Sequence, residues 1–150
     1  MLNELAKNLP DNPQSFRDAI ANAEDYLKDF QQIELPLKHH FSKGSYAREI
    51  FMPKGTYVTG KIHKTEHLCI LFGDIEIGDE GGMFRYTGYH VFNSFPGTKR
   101  IFATYEDTWF TTIHLTDETD IPTLEADLAC ETYEQYGQHL IESQHREVLP

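Results

Sequence analysis

The stretch "GKIHKTEHLCILFG", residues 60–73, sets two histidines and a glutamate within five residues and follows them with an apolar run ending in glycine. The run has the length and composition of a buried β-strand, and the donors precede it. His63 and His67 are four residues apart, so a tight turn between them brings both imidazoles to one side. Successive side chains of a strand face opposite ways, so only one of Glu66 and His67 serves such a site unless the turn twists between them.

The segments around this stretch read the same way. "YAREIFMP", "TYVTGKIH", "DIEIG", "MFRYTG", "YHVFNSF", "KRIFATY" and "WFTTIHL" are rich in β-branched and aromatic residues. Pro53-Lys54-Gly55, Gly78-Asp79-Glu80-Gly81-Gly82 and Pro96-Gly97 punctuate them. About eight to ten short strands with turn signals every 8–12 residues predict a sandwich or closed barrel. No helical segments lie between the strands, which argues against a doubly wound fold.

Both ends change period. In "DNPQSFRDAIANAEDYLKDFQQ", Phe16, Ala19, Ile20, Ala23, Leu27 and Phe30 recur at helical spacing, with Asn12 as N-cap and Pro13 at the first helical position. This helix needs an apolar surface, either the outside of a sheet or a partner chain. The tail returns to helical spacing through Leu124, Leu128, Tyr136, Leu140 and Ile141, capped by Asp120 or Thr123, and Gly137 weakens it as a single helix. The expected division is a helical extension over 1–34, a β-barrel over 35–118 and a second helical extension over 119–150.

A chain of 150 residues, 39% hydrophobic and 13% aromatic, is long and apolar enough for one folded core. Its 13 basic and 24 acidic residues leave a formal charge of −11, which disfavours nucleic acid and anionic membrane surfaces as partners. The beginning "MLNELAKNLPDNPQSF" lacks the apolar core of a signal peptide, and no segment has the length of a membrane span. The expectation is a soluble, cytoplasmic protein. Cys69 and Cys130 make neither a disulfide framework nor a zinc knuckle and are expected to be reduced, Cys69 as a small core residue.

Glu66, the six residues "HLCILF" and Gly73 resemble the end of the first motif of the cupin superfamily, the small jelly-roll β-barrels, with His63 where the last upstream histidine stands. "FPGTKR" resembles the proline-glycine turn of the second motif, with Arg100 in place of its histidine. Over residues 35–117 the pattern looks like that of small cupins encoded by bacteriophages and proteobacteria. The paired HxH is absent, because Lys61 and Thr65 flank His63. The donors left for a metal are His63, His67, Glu66 and, from the last strand, His114.

The resemblance implies an all-β jelly-roll barrel with α-helical extensions, pairing into a homodimer or larger homo-oligomer with the helix around residues 14–30 taking part. It also implies a divalent metal (Fe, Mn, Ni or Zn) at the barrel mouth and a small-molecule ligand, in a bacterial or phage-infected cell. Dioxygenase-like and isomerase-like chemistry both remain open, as does a non-catalytic binding or structural module, a phage accessory or virion component. An arginine in a ligand position points to an anion, a carboxylate or phosphate ligand or a neighbouring acid such as Glu106 or Asp107. Tyr46, Arg48, Tyr57, Thr59 and Lys61 form one alternating polar face, either solvated or lining a pocket. Tyr57 and Lys61 join Arg100 as candidate ligand contacts. His39 and His40 face opposite ways in a strand, and His90, His139 and His145 are expected at the surface.

Overall fold

The computed structural model describes residues 1–8 and 15–148, with side chains for 1–7 and 15–144. The expected capping residues Asn12 and Pro13, and the side chain of His145, lie outside the described residues. Nine strands and four helices follow one another along the described chain. The helices α1 (Leu2–Asn8) and α2 (Phe16–Leu27) come first, then β1 (Leu37–Ser42), β2 (Ser45–Met52), β3 (Tyr57–Thr59) and β4 (Ile62–His63). The long strands β5 (His67–Asp79) and β6 (Gly82–Ser94) form a hairpin, followed by β7 (Ile101–Thr104) and β8 (Thr108–Leu115). The tail carries α3 (Ile121–Leu128), β9 (Ala129–Cys130) and α4 (Tyr133–Val148).

Seven strands form one antiparallel sheet in the order β1-β2-β8-β5-β7-β3, with β6 paired to the other side of β5. The sheet curls into a half-barrel, the all-β architecture with helical ends expected from the sequence. Its concave side follows from strand alternation. Cys69, Leu71, Ile75 and Ile77 of β5, Phe110 of β8, Met52 of β2 and Phe102 of β7 form the main core, with Ile50, Val58, Tyr86 and Phe92 packed against it.

The glycines of the central hairpin act differently from their sequence reading. Gly73 and Gly88 separate what read as four short strands, yet they face each other across one continuous pair of 13-residue strands. Gly73 has φ +153° and Gly88 φ +84°. There β5 changes its second partner, from β8 along Leu68–Phe72 to β7 along Ile75–Gly78. The glycines bend the hairpin so that it crosses from one wall to the next.

The helical ends bury different surfaces. Ile20 and Ala23 of α2 pack with Leu2, Leu5, Ile101 and Ala103 on the outer side of β7, so α2 lies across its own sheet. Its N-cap is Ser15, whose side chain accepts from the Asp18 N–H. The tail breaks at Ala129–Cys130, where β9 pairs with β4, and Gly137 lies within α4. Asp120 caps α3, as expected, by accepting from Thr123 N at 3.1 Å. No helix among the described residues is long and apolar enough to cross a membrane.

Candidate functional site

The inward positions of β2 and β8 run in register, Tyr46 opposite His114, Arg48 opposite Thr112 and Ile50 opposite Phe110. With Val58 to Lys61, His63 and Phe102 they enclose a cavity of about 250 Å³, and Leu124, Glu125, Leu128 and Ala129 close one side of it. That closing segment is held by main-chain pairing of Ala129 with His63, by Lys64 Nζ donating to the Ala126 carbonyl at 2.7 Å, and by the Lys61–Glu131 ion pair at 3.2 Å.

Three histidines meet at the edge of this cavity. The rings of His63 and His67 have centroids 4.4 Å apart, His67 and His114 4.5 Å, and His63 and His114 6.4 Å. They come from β4, the start of β5 and the end of β8, as the sequence reading placed them. His63 and His114 line the cavity, and His67, 5% exposed, lies against both. His63 Nδ1, His67 Nε2 and His114 Nδ1 are buried without a hydrogen-bond partner among the described residues.

The other bond of His67 sets its lone pair. His67 Nδ1 lies 3.0 Å from the Thr65 carbonyl, which can only accept, so Nδ1 carries the proton and the orphaned Nε2 a lone pair. His114 Nε2 meets the Thr112 hydroxyl at 2.9 Å. Burial, aided by the neighbouring histidines, Arg100 and Arg48, lowers His63 to about 3. Burial with His67 and Arg48 lowers His114 to about 4, and burial lowers His67 as well. All three are therefore neutral at physiological pH, each with one buried ring nitrogen left without a partner, which in His67 carries a lone pair. A buried polar atom left unpaired costs about 1–3 kcal/mol, so three together call for a partner.

As the side chains stand, no group of three or more His, Cys, Asp or Glu among the described residues is arranged to hold a metal ion. The donor type and the orphaned nitrogens fit a divalent transition metal; the rings rest on one another and do not close on a common point. Glu66 does not join them. It is exposed between β4 and β5, while His67 takes the inward position, as strand alternation requires.

The expected ligand contacts separate. Arg100 does not line the cavity: Nη1 donates to Ser94 Oγ at 2.7 Å, Nε lies 3.5 Å from Asp79 Oδ2, and the guanidinium stands 5.6 Å from the Phe92 ring centroid. Its anion is a carboxylate of its own chain, Asp79, and neither Glu106 nor Asp107. Tyr57 faces the N-terminal helices, donating to the Met1 carbonyl at 3.3 Å, because Val58 holds the inward position of β3. Lys61 lines the cavity rim, tied to Glu131. Tyr46, 3% exposed, and Arg48 are cavity-lining residues and no solvated face. Cys69 is fully buried and its thiol is pushed up to about 11 by burial, as befits a core residue. Both cysteines are free.

No protein-family model matches the sequence, and no curated protein matches it. Solved structures similar to it include cupin domains. One is a cupin domain from Bordetella pertussis, 10% identical over 58% of this chain and 98% of that one, with a TM-score of 0.46. The Cnp3 cupin domain of Schizosaccharomyces pombe is 22% identical over 61% and 67% of the two chains, TM-score 0.46. A cupin-2 domain protein from Shewanella frigidimarina is 12% identical over 62% and 91%, TM-score 0.45. At these values the likeness is one of fold, and no activity is carried over.

Proposed function

We propose that this chain is a cupin-like small-molecule-binding protein in which His63, His67 and His114 hold a divalent metal beside the cavity. The observation that carries this reading is the set of three buried imidazole nitrogens, one on each ring, without a partner. Iron, manganese, nickel and zinc all accept imidazole nitrogen. When bound, such a metal supplies a Lewis acid or an O₂ site. The chain's own residues do the rest: Thr65 holds the His67 tautomer, and the α3 segment with Phe102 and Phe110 keeps water from the ligand.

Elemental analysis of protein purified without an affinity tag tests the reading. About one equivalent of a transition metal per chain is expected, and none in a His63→Ala/His67→Ala variant. Metal-free wild-type protein that gains no stability on addition of any of the four ions would refute it.

One observation favours a second reading, a binding module without metal. The three rings pack with centroids 4.4–4.5 Å apart at two of their contacts, which is also the geometry of an aromatic cluster. In that case the same analysis finds no metal, and the cavity remains as the binding feature.

A further inference from the structure

Cations near the site are unequally engaged. Lys61 is paired with Glu131 at 3.2 Å, and Arg100 is occupied by Ser94 and Asp79. Arg48 lines the cavity from the inward face of β2, opposite Thr112 on one side and His39 on the other. Neither neighbour relieves it. The Thr112 hydroxyl is bonded to His114, and His39 Nδ1 to the Tyr46 hydroxyl at 2.7 Å. Among the described residues no carboxylate or carbonyl is in ion-pair or hydrogen-bond contact with the Arg48 guanidinium. The acid that shares the lining, Glu125, is an exposed residue of α3.

Tyr46, Thr59, Lys61, Thr112 and Glu125 add polar groups to the lining, and the rest of it is mainly apolar, with Ile50, Met52, Val58, Phe102, Phe110 and Leu124. A guanidinium at one side of a mainly apolar chamber matches a ligand with one planar anionic head and a hydrocarbon body. The volume of about 250 Å³ equals roughly eight waters at ~30 Å³ each, the size of a small molecule. A phosphate dianion would need more donors than one arginine provides here. We propose that the cavity binds a small carboxylic acid, its carboxylate on Arg48 and its apolar body against Phe102, Phe110 and Leu124. This deepens the small-molecule reading above but does not depend on the metal.

Titration calorimetry with hexanoate and hexanamide, alike in size and different in charge, tests this on chelator-treated and metal-loaded full-length protein. Hexanoate is expected to bind, and hexanamide at least about 30-fold more weakly, the range for losing one desolvated charge pair. Arg48→Met should lose hexanoate to the same degree, and Arg48→Lys should fall between because the bidentate fork is gone. Glu125→Gln should tighten hexanoate a few-fold by removing an acid from the lining. Thermal denaturation of each variant without ligand verifies folding; if Arg48→Met does not fold, Arg48→Lys and Glu125→Gln decide.

Equal binding of the two probes, no binding of either, or wild-type affinity in every folded Arg48 variant would overturn the proposal. Tighter binding of butylphosphonate than of hexanoate would overturn the carboxylate assignment. Arg48-dependent binding by chelated protein upholds it even where no metal is found. One equivalent of metal without discrimination between the probes sinks this inference and leaves the metal reading standing.

Discussion

His114 shows how one residue ties the site to stability. It is 4% exposed and held near 4, well below the ordinary 6.5, chiefly by burial. Between those two values the unfolded chain takes up a proton that the folded chain refuses. Metal-free protein is therefore stabilised fully above about pH 6.5 and loses that contribution as the pH falls toward 4. For His114 alone the loss approaches about 3 kcal/mol. His63, lowered to about 3, acts in the same direction. Urea unfolding at pH 7 and pH 4.5 measures it. A His63→Gln/His114→Gln variant should lose less stability than wild type over that interval, the carboxylates contributing alike to both. Parallel losses in the two proteins would refute this origin.

Among the elements, the β5–β6 hairpin decides the shape of the cavity, and Gly73 decides the hairpin. A Cβ at Gly73 would lie 2.7 Å from the Thr108 Cα, in backbone at φ +153° that L side chains rarely adopt. Neither obstacle yields cheaply, because the neighbour is main chain and Thr108 is fully buried, its Oγ1 accepting from Asp74 N at 3.2 Å. Gly73→Ala should cost about 3 kcal/mol or more. Gly88, opposite it, also has positive φ but meets nothing within 4 Å, so Gly88→Ala should cost less, only the backbone strain. A smaller shift in urea midpoint for Gly73→Ala than for Gly88→Ala would contradict this account of the bend.

On the scale of the whole molecule, the convex face of the sheet remains to be covered. Tyr89, Phe72, Trp109 and Phe51 stand in register across β6, β5, β8 and β2, with Val91 and Ile70 in the next row. Trp109 contacts Phe51 and Phe72 at 5.0 and 6.0 Å between centroids, and Phe72 and Tyr89 are 55% and 65% exposed. A contiguous aromatic row of this kind exceeds scattered surface apolar residues, the physical basis for predicting association there. The predicted occupant is a second copy of the chain, paired about a two-fold axis. Ile20 and Ala23 of α2 are buried against β7, and the sheet face is the surface on which self-association is predicted. Sedimentation at micromolar concentration should show a dimer for wild type and a monomer for Phe72→Glu/Trp109→Glu. A wild-type monomer throughout would remove this prediction.

Local pattern was enough for the broad class. Period-two alternation and turn residues mark β2, β5 and β8, helical spacing marks both ends, and Asp120 caps α3 as its chemistry demands. His63, His67 and His114 were legible as candidates from the four-residue spacing of the first two and the place of the third in the last strand of the barrel. The sequence alone did not separate Glu66 from His67; the inward position in β5 did. Arg48 and Arg100 exchange their expected places for a tertiary reason. Which arginine meets an acid depends on Asp79, 21 residues before Arg100 and brought to it by the pairing of β5 with β7, Gly78 opposite Ile101, while Arg48 is left facing the cavity. Gly73 and Gly88 likewise read as breaks along the chain and become a bend only when paired across strands. Spacing along a chain specifies faces and ends; which faces meet, and which charges find partners there, is decided by packing between elements distant in sequence.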